Sequence, residues 1–107
     1  MKTKQIINCG YTTYNVEIEK GKSITVTREG HEPNTFLIGD WAEYNSYNLS
    51  YTGIIRQITD KTVTIEAYPG TSNSKKYRLK LDNFAWRNYD FSKAKADIHN
   101  ANEMQYI

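Results

Sequence analysis

Cysteine is nearly absent from this chain, and Cys9 stands alone, so no disulfide can form within it. With His31 and His99 it supplies three soft or imidazole ligands, far apart and without zinc spacing, so neither a metal nor a cofactor is expected. Cys9 itself reads as a small half-buried apolar residue. Long apolar runs are also missing, and nothing approaches the ~20 residues that span a bilayer, so no membrane partner is expected. The start, Met1-Lys2-Thr3-Lys4-Gln5-Ile6-Ile7-Asn8, lacks the apolar stretch of a secretory signal, and a cytoplasmic protein is expected. The triplet Asn48-Leu49-Ser50 matches a glycosylation sequon but reads as chance in that setting. Charge of one sign is scarce too: 14 Lys+Arg against 12 Asp+Glu leave +2, too balanced to announce a nucleic-acid binder.

What remains is one domain's worth of chain, 107 residues, with room for a real core. Nine tyrosines and many Thr and Asn stand beside few Leu and Ala. Thr, Tyr, Ile and Val suit pleated, half-buried surfaces, so composition predicts a mainly β domain. Over 13–29, Tyr14, Val16 and Ile18 alternate with Asn15, Glu17 and Glu19, and Ile24 and Val26 alternate with Thr25 and Thr27. Lys20-Gly21-Lys22 supplies the turn of this hairpin. Residues 5–8 form a short strand candidate, and 30–35, with Gly30 and Pro33, read as a connector. Residues 36–81 hold further short strands at regular spacing, which indicate a small barrel or sandwich. Residues 82–88 predict one helical turn that plugs the barrel end with Phe84 and Trp86. Phe91, Ala94, Ile98, Ala101 and Met104 then draw a thin apolar stripe on a C-terminal helix, with Asp90 or Ser92 at its start.

The string Gly39-Asp40-Trp41-Ala42-Glu43-Tyr44, then Gly53-Ile54-Ile55-Arg56-Gln57-Ile58, then Val63-Thr64-Ile65, resembles the opening of an SH3-like barrel of the KOW or Tudor type. Gly39-Asp40 suits a turn into a strand, and Gly53 permits bending and close approach. The expected fold is therefore mainly β (α+β): an N-terminal hairpin over 1–35, a small SH3-like barrel over 36–81 and a helical segment over 82–107, all in a single domain. The layout is also similar in style to small products of bacteriophages and other mobile elements.

Two surfaces stand out as functional candidates. On the strand Lys75 to Leu81, Lys76, Arg78 and Lys80 fall on one face, about 7 Å apart. That matches the spacing of successive phosphates, and Tyr44, Tyr47, Tyr51 and Tyr68 are candidate stacking faces beside Lys75 and this row. The competing reading is a solvated strand face that blocks edge pairing, with Glu66 neutralising part of it. In Tudor and SH3-like barrels loop aromatics hold peptides, which the resemblance extends to Tyr47 and Tyr51. Their competing role is simply to cover a small barrel. Trp41 and Tyr44, three apart in a strand, are expected on opposite faces, one core and one surface. Catalysis has little support: there is no nucleophile elbow, no Gly-rich phosphate loop and no His paired locally with Cys or Asp. The expected function is non-catalytic binding, by a protein-interaction or inhibitory module; the alternative is DNA or RNA binding through the basic strand. A homodimer is left open.

Overall fold

The computed structural model describes residues 2–46 and 49–91. Two four-stranded antiparallel sheets follow one another along the chain, each a simple meander. The first contains β1 (Lys2–Cys9), β2 (Thr12–Glu19), β3 (Ser23–Arg28) and β4 (Asn34–Leu37). The second contains β5 (Trp41–Ser46), β6 (Leu49–Ile58), β7 (Thr62–Ala67) and β8 (Lys75–Lys80), and leads directly into helix α1 (Leu81–Asn88). No helix among the described residues is long and apolar enough to cross a membrane.

The alternation that predicts the first hairpin is realised residue by residue. Tyr14, Val16, Ile18, Ile24 and Val26 are buried, and Gly21 takes φ +73° at the turn. The expected connector over 30–35 needs correcting, because Asn34 already belongs to β4, which pairs with β3. Four residues are too few to show a period, and Phe36, with no exposed surface, is what fixes them. The N-terminal unit is thus a full sheet, and the expected boundary at residue 36 falls inside β4. The chain changes sheets at Gly39-Asp40, where Gly39 has φ +95° and the Asp40 carboxylate accepts the Leu37 N–H at 2.8 Å.

The second sheet curls into a half-barrel. The rings of Tyr44 on β5 and Tyr77 on β8 stack with centroids 4.6 Å apart, although their strands are first and last in the sheet. Four flat strands would hold those backbones about 14 Å apart, with both side chains perpendicular to the sheet. Two features permit the curl. Arg56 is an extra residue where the β6–β7 register shifts, and such bulges bend a strand. At Gly53 a Cβ would lie 2.5 Å from the Glu66 carbonyl oxygen and 2.7 Å from Ile65 Cγ2, so only glycine lets β6 and β7 approach as they do.

Backbone hydrogen bonds join the sheets at one corner. Gly21 N–H donates to the Ile58 carbonyl at 2.8 Å, Gly39 N–H to Ile55 at 2.8 Å, and Ile55 N–H to Asp40 at 2.9 Å. Helix α1 closes the other side. Its stripe of Leu81, Phe84, Ala85 and Asn88 is buried, and Phe84 meets Phe36 edge-on at 5.3 Å. Trp86 is not part of the plug, contrary to the sequence reading, and is 55% exposed. Positions two apart on a helix point to different sides, so Phe84 and Trp86 cannot both face inward. The C-terminal helix expected from Phe91 to Met104 lies, beyond Phe91 itself, outside the described residues.

The fully buried Asn88 pairs with the outer edge of β5. Its Oδ1 accepts the Glu43 N–H at 2.8 Å, and its Nδ2 donates to the Glu43 carbonyl at 3.1 Å and the Phe84 carbonyl at 3.1 Å. The amide thus supplies one donor and one acceptor, as a neighbouring strand would. Two stability outcomes follow. Gly53→Ala is expected to cost about 1–3 kcal/mol by forcing a methyl against a backbone oxygen. Asn88→Ala is expected to cost on the order of 2–4 kcal/mol, because two backbone groups of Glu43 lose their partners. Urea denaturation of each variant measures both, and a midpoint unchanged from the parent refutes the corresponding contact.

Candidate binding surfaces

Strand alternation in the second sheet sorts its functional candidates onto two faces. Tyr77 and Leu79 of β8 turn toward the core, and Lys76, Arg78 and Lys80 are exposed on the outer face, as expected from the sequence. The register sets Trp41, Ile54, Glu66 and Lys76 in one line across the four strands. Thr64 lies opposite Arg78, and Thr62 opposite Lys80.

Glu66 is the acid best placed to neutralise this row, but its carboxylate is committed elsewhere. It accepts the Arg56 Nε–H at 2.6 Å and the Ser74 hydroxyl. Those two hydrogen bonds, Ser74 first and Arg56 second, hold its carboxyl below the usual range, with the charges of Arg56 and Lys76 adding to them. Lys76, Arg78 and Lys80 accordingly make no ion pair among the described residues. Lys75 separates from them: its ammonium sits 5.3 Å from the centroid of the Tyr77 ring.

The tyrosines do not join the cations as the sequence reading expects. Tyr44 is buried, 3% exposed, stacked between Tyr51 at 5.9 Å and Tyr77 at 4.6 Å, so it offers no free face. Tyr51 is half-buried and packs against the core. Both sit on the face opposite Lys76, Arg78 and Lys80. Tyr47 lies outside the described residues. Only Tyr68 remains as an exposed candidate, 44% accessible and held at φ +49° where β7 ends. The aromatic that does share the outer face is Trp41. Of the Trp41 and Tyr44 pair, then, Tyr44 is core and Trp41 is only partly covered.

A second surface forms where the β1–β2 turn meets α1. Asn8, Cys9, Gly10, Asp82, Asn83 and Trp86 line an open depression of about 400 Å³. Tyr11, next along the turn, is fully exposed. The Arg87 guanidinium lies 5.2 Å from the centroid of the Trp86 ring, and its Nε donates to Asn83 Oδ1 at 2.8 Å. The Cys9 thiol faces the Asp82 carbonyl oxygen at 3.8 Å. Burial first, and the charge of Asp82 second, push that thiol up from its ordinary value. Sequence reading missed this surface. Its one signal was Trp86, two residues after Phe84 in a helical turn.

No family model matches the chain, and neither the curated proteins nor the solved structures contain a match to it. Among the described residues no group of three His, Cys, Asp or Glu side chains comes together to hold a metal ion.

The Glu66 arrangement has a pH consequence. A carboxyl whose folded pKa lies below its unfolded value stabilises the fold fully above the ordinary 4.5. That contribution is lost as pH falls through the lower folded value. Glu66→Gln is therefore expected to melt below the parent at about pH 7, with the gap closing as pH drops beneath the ordinary carboxylate range. Thermal melts followed by circular dichroism across that range test it; a gap independent of pH refutes the charge contribution.

Proposed function

We propose that this chain is a non-catalytic binding module whose main partner is another protein. The observation that carries the reading is a 55% exposed Trp86 lining an open depression, with the fully exposed Tyr11 directly following Gly10 at its rim. Leaving large aromatic rings in water has no benefit to a small fold. Tyr, Trp and Arg are the residue types that dominate the energy of protein interfaces. Arg87 beside Trp86, with Asn8 and Asn83 in the depression, completes such a mixture. The curled second sheet is compatible with an SH3-like barrel. We assign it to the KOW or Tudor type on its Gly39-Asp40 and Gly53 pattern. We further propose an inhibitory role in the cytoplasm of a host cell, in the manner of small mobile-element proteins. Support for that setting is the similarity of layout alone.

A second reading is favoured by a separate observation. Lys76, Arg78 and Lys80 form a row whose one cross-strand acid on β7, Glu66, is already hydrogen-bonded by Arg56 and Ser74. A row of cations at phosphate spacing suits a nucleic-acid backbone.

Affinity capture from host lysate separates the surfaces. A stoichiometric partner is expected with the parent and with a Lys76→Ala, Arg78→Ala, Lys80→Ala triple variant. Tyr11→Ala with Trp86→Ala is expected to weaken retention at least about tenfold, as hot-spot truncations do. Absence of any stoichiometric partner, or full retention by the double variant, refutes the protein-binding reading. A second copy of this chain counts as the partner if size-exclusion chromatography shows a dimer that the double variant loses.

A further inference from the structure

We propose that the cationic row of β8 continues across the junction of the two sheets onto the β2–β3 turn, and that the combined track takes the backbone of a single-stranded nucleic acid. This rests on the second reading above and extends it to residues that the sequence pattern does not connect. Lys80 pairs with Thr62 across β7 and β8, and the exposed Lys61 immediately precedes Thr62. The turn that carries Lys61 is fixed: Thr59 N–H donates to the Thr62 carbonyl at 2.9 Å, and Thr62 N–H to Thr59 Oγ1 at 3.0 Å. Gln5 Nε2 adds a bond to the Asp60 carbonyl at 2.6 Å.

The first sheet then reaches the same corner. The Gly21 N–H bond to the Ile58 carbonyl, 2.8 Å long, sets the Lys20-Gly21-Lys22 turn against the end of β6. Lys22 is paired with Glu19 at 3.5 Å, whereas Lys20 is exposed and makes no ion pair among the described residues. Exposed cations therefore follow one another from Lys76, Arg78 and Lys80 on β8 to Lys61 in the adjoining turn and Lys20 in the turn bonded to the end of β6, with Asp60 an exposed acid beside Lys61. Lys76 to Lys80 covers about 13 Å at a strand's rise, and the two turns lengthen the track beyond it. Tyr68 stands at its far end, directly after the Ala67 that pairs with Lys75.

Two features select a single strand. A duplex presents two backbones across a groove about 12 Å wide, whereas the track is one line of charge. The exposed ring of Tyr68 can stack on an unpaired base, and a base inside a duplex offers it no face.

The test is fluorescence anisotropy of the full chain with labelled oligothymidine, oligouridine and a duplex of equal length, over a salt series. Five backbone contacts at about 0.7 each give an expected slope of about −3.5 for log affinity against log salt. Lys20→Ala with Lys61→Ala is expected to flatten it by about 1.4, and the Lys76, Arg78, Lys80 triple variant by about 2.1. Tyr68→Ala is expected to weaken single-strand binding and leave the slope alone. Circular dichroism melts confirm that each variant is folded. An unchanged slope in the Lys20, Lys61 variant overturns the extended track and leaves the second reading standing. Tighter binding to the duplex, or equal binding to polyglutamate, overturns the single-strand assignment. Binding undiminished in the triple variant, or no binding at low salt, overturns both.

Discussion

One buried amide ties the molecule together. The Asn88 side chain completes the open edge of β5 through Glu43, while its backbone carbonyl accepts from Asn34 Nδ2 on β4 at 3.0 Å. A single residue of α1 therefore touches both sheets. A buried polar side chain is tolerated only when its hydrogen bonds are met, and all the polar atoms of this amide are engaged. Asn34 also donates to the Phe91 carbonyl at 3.0 Å, so the exit of α1 is held by the same contact. Without these bonds the helix would dock only by its apolar stripe, which is short and satisfies no strand edge.

The arrangement explains why the surfaces lie where they do. With α1 held by Leu81, Phe84, Ala85 and Asn88, Trp86 turns outward beside the β1–β2 turn, with the Arg87 guanidinium against its ring. The curl of the second sheet draws Tyr44, Tyr51 and Tyr77 into one inner stack. That turns three tyrosines of this sheet inward and leaves its outer face to Trp41, Arg56 and the cations of β8. Exposed rings and exposed cations are thereby separated: the rings stand at the helix, and the cations of β8, without an ion pair among the described residues, line an edge strand.

Ion pairing is what distinguishes the basic row from an ordinary solvated strand. Glu66 faces Lys76 in the register, and proximity alone would assign the pair. The Ser74 hydroxyl and the Arg56 guanidinium compete for the carboxylate and hold it through directed hydrogen bonds. Arg56 reaches it because of the bulge it occupies in β6. The same irregularity thus bends the sheet and engages the hydrogen bonds of the acid, while its charge still acts on Lys76.

Period and turn chemistry determine much of this protein locally. The alternation of Tyr14, Val16 and Ile18 with polar neighbours specifies a strand and its buried face, since side chains on a pleat alternate. Gly39-Asp40 and Gly53 mark a turn and a close approach that the backbone realises. The outward set of Lys76, Arg78 and Lys80 follows from the same two-residue period. What the pattern cannot specify is contact between elements distant in sequence. The four residues of β4 carry too few positions to show a period, and only Phe36 packing against Phe84 fixes them. The burial of Tyr44, the engagement of Glu66 by Arg56 and Ser74, the exposure of Trp86 and the docking of the Lys20-Gly21-Lys22 turn on the end of β6 all depend on curl, bulge and sheet junction. Tertiary structure decided these, because each depends on the distance between side chains that chain order leaves free.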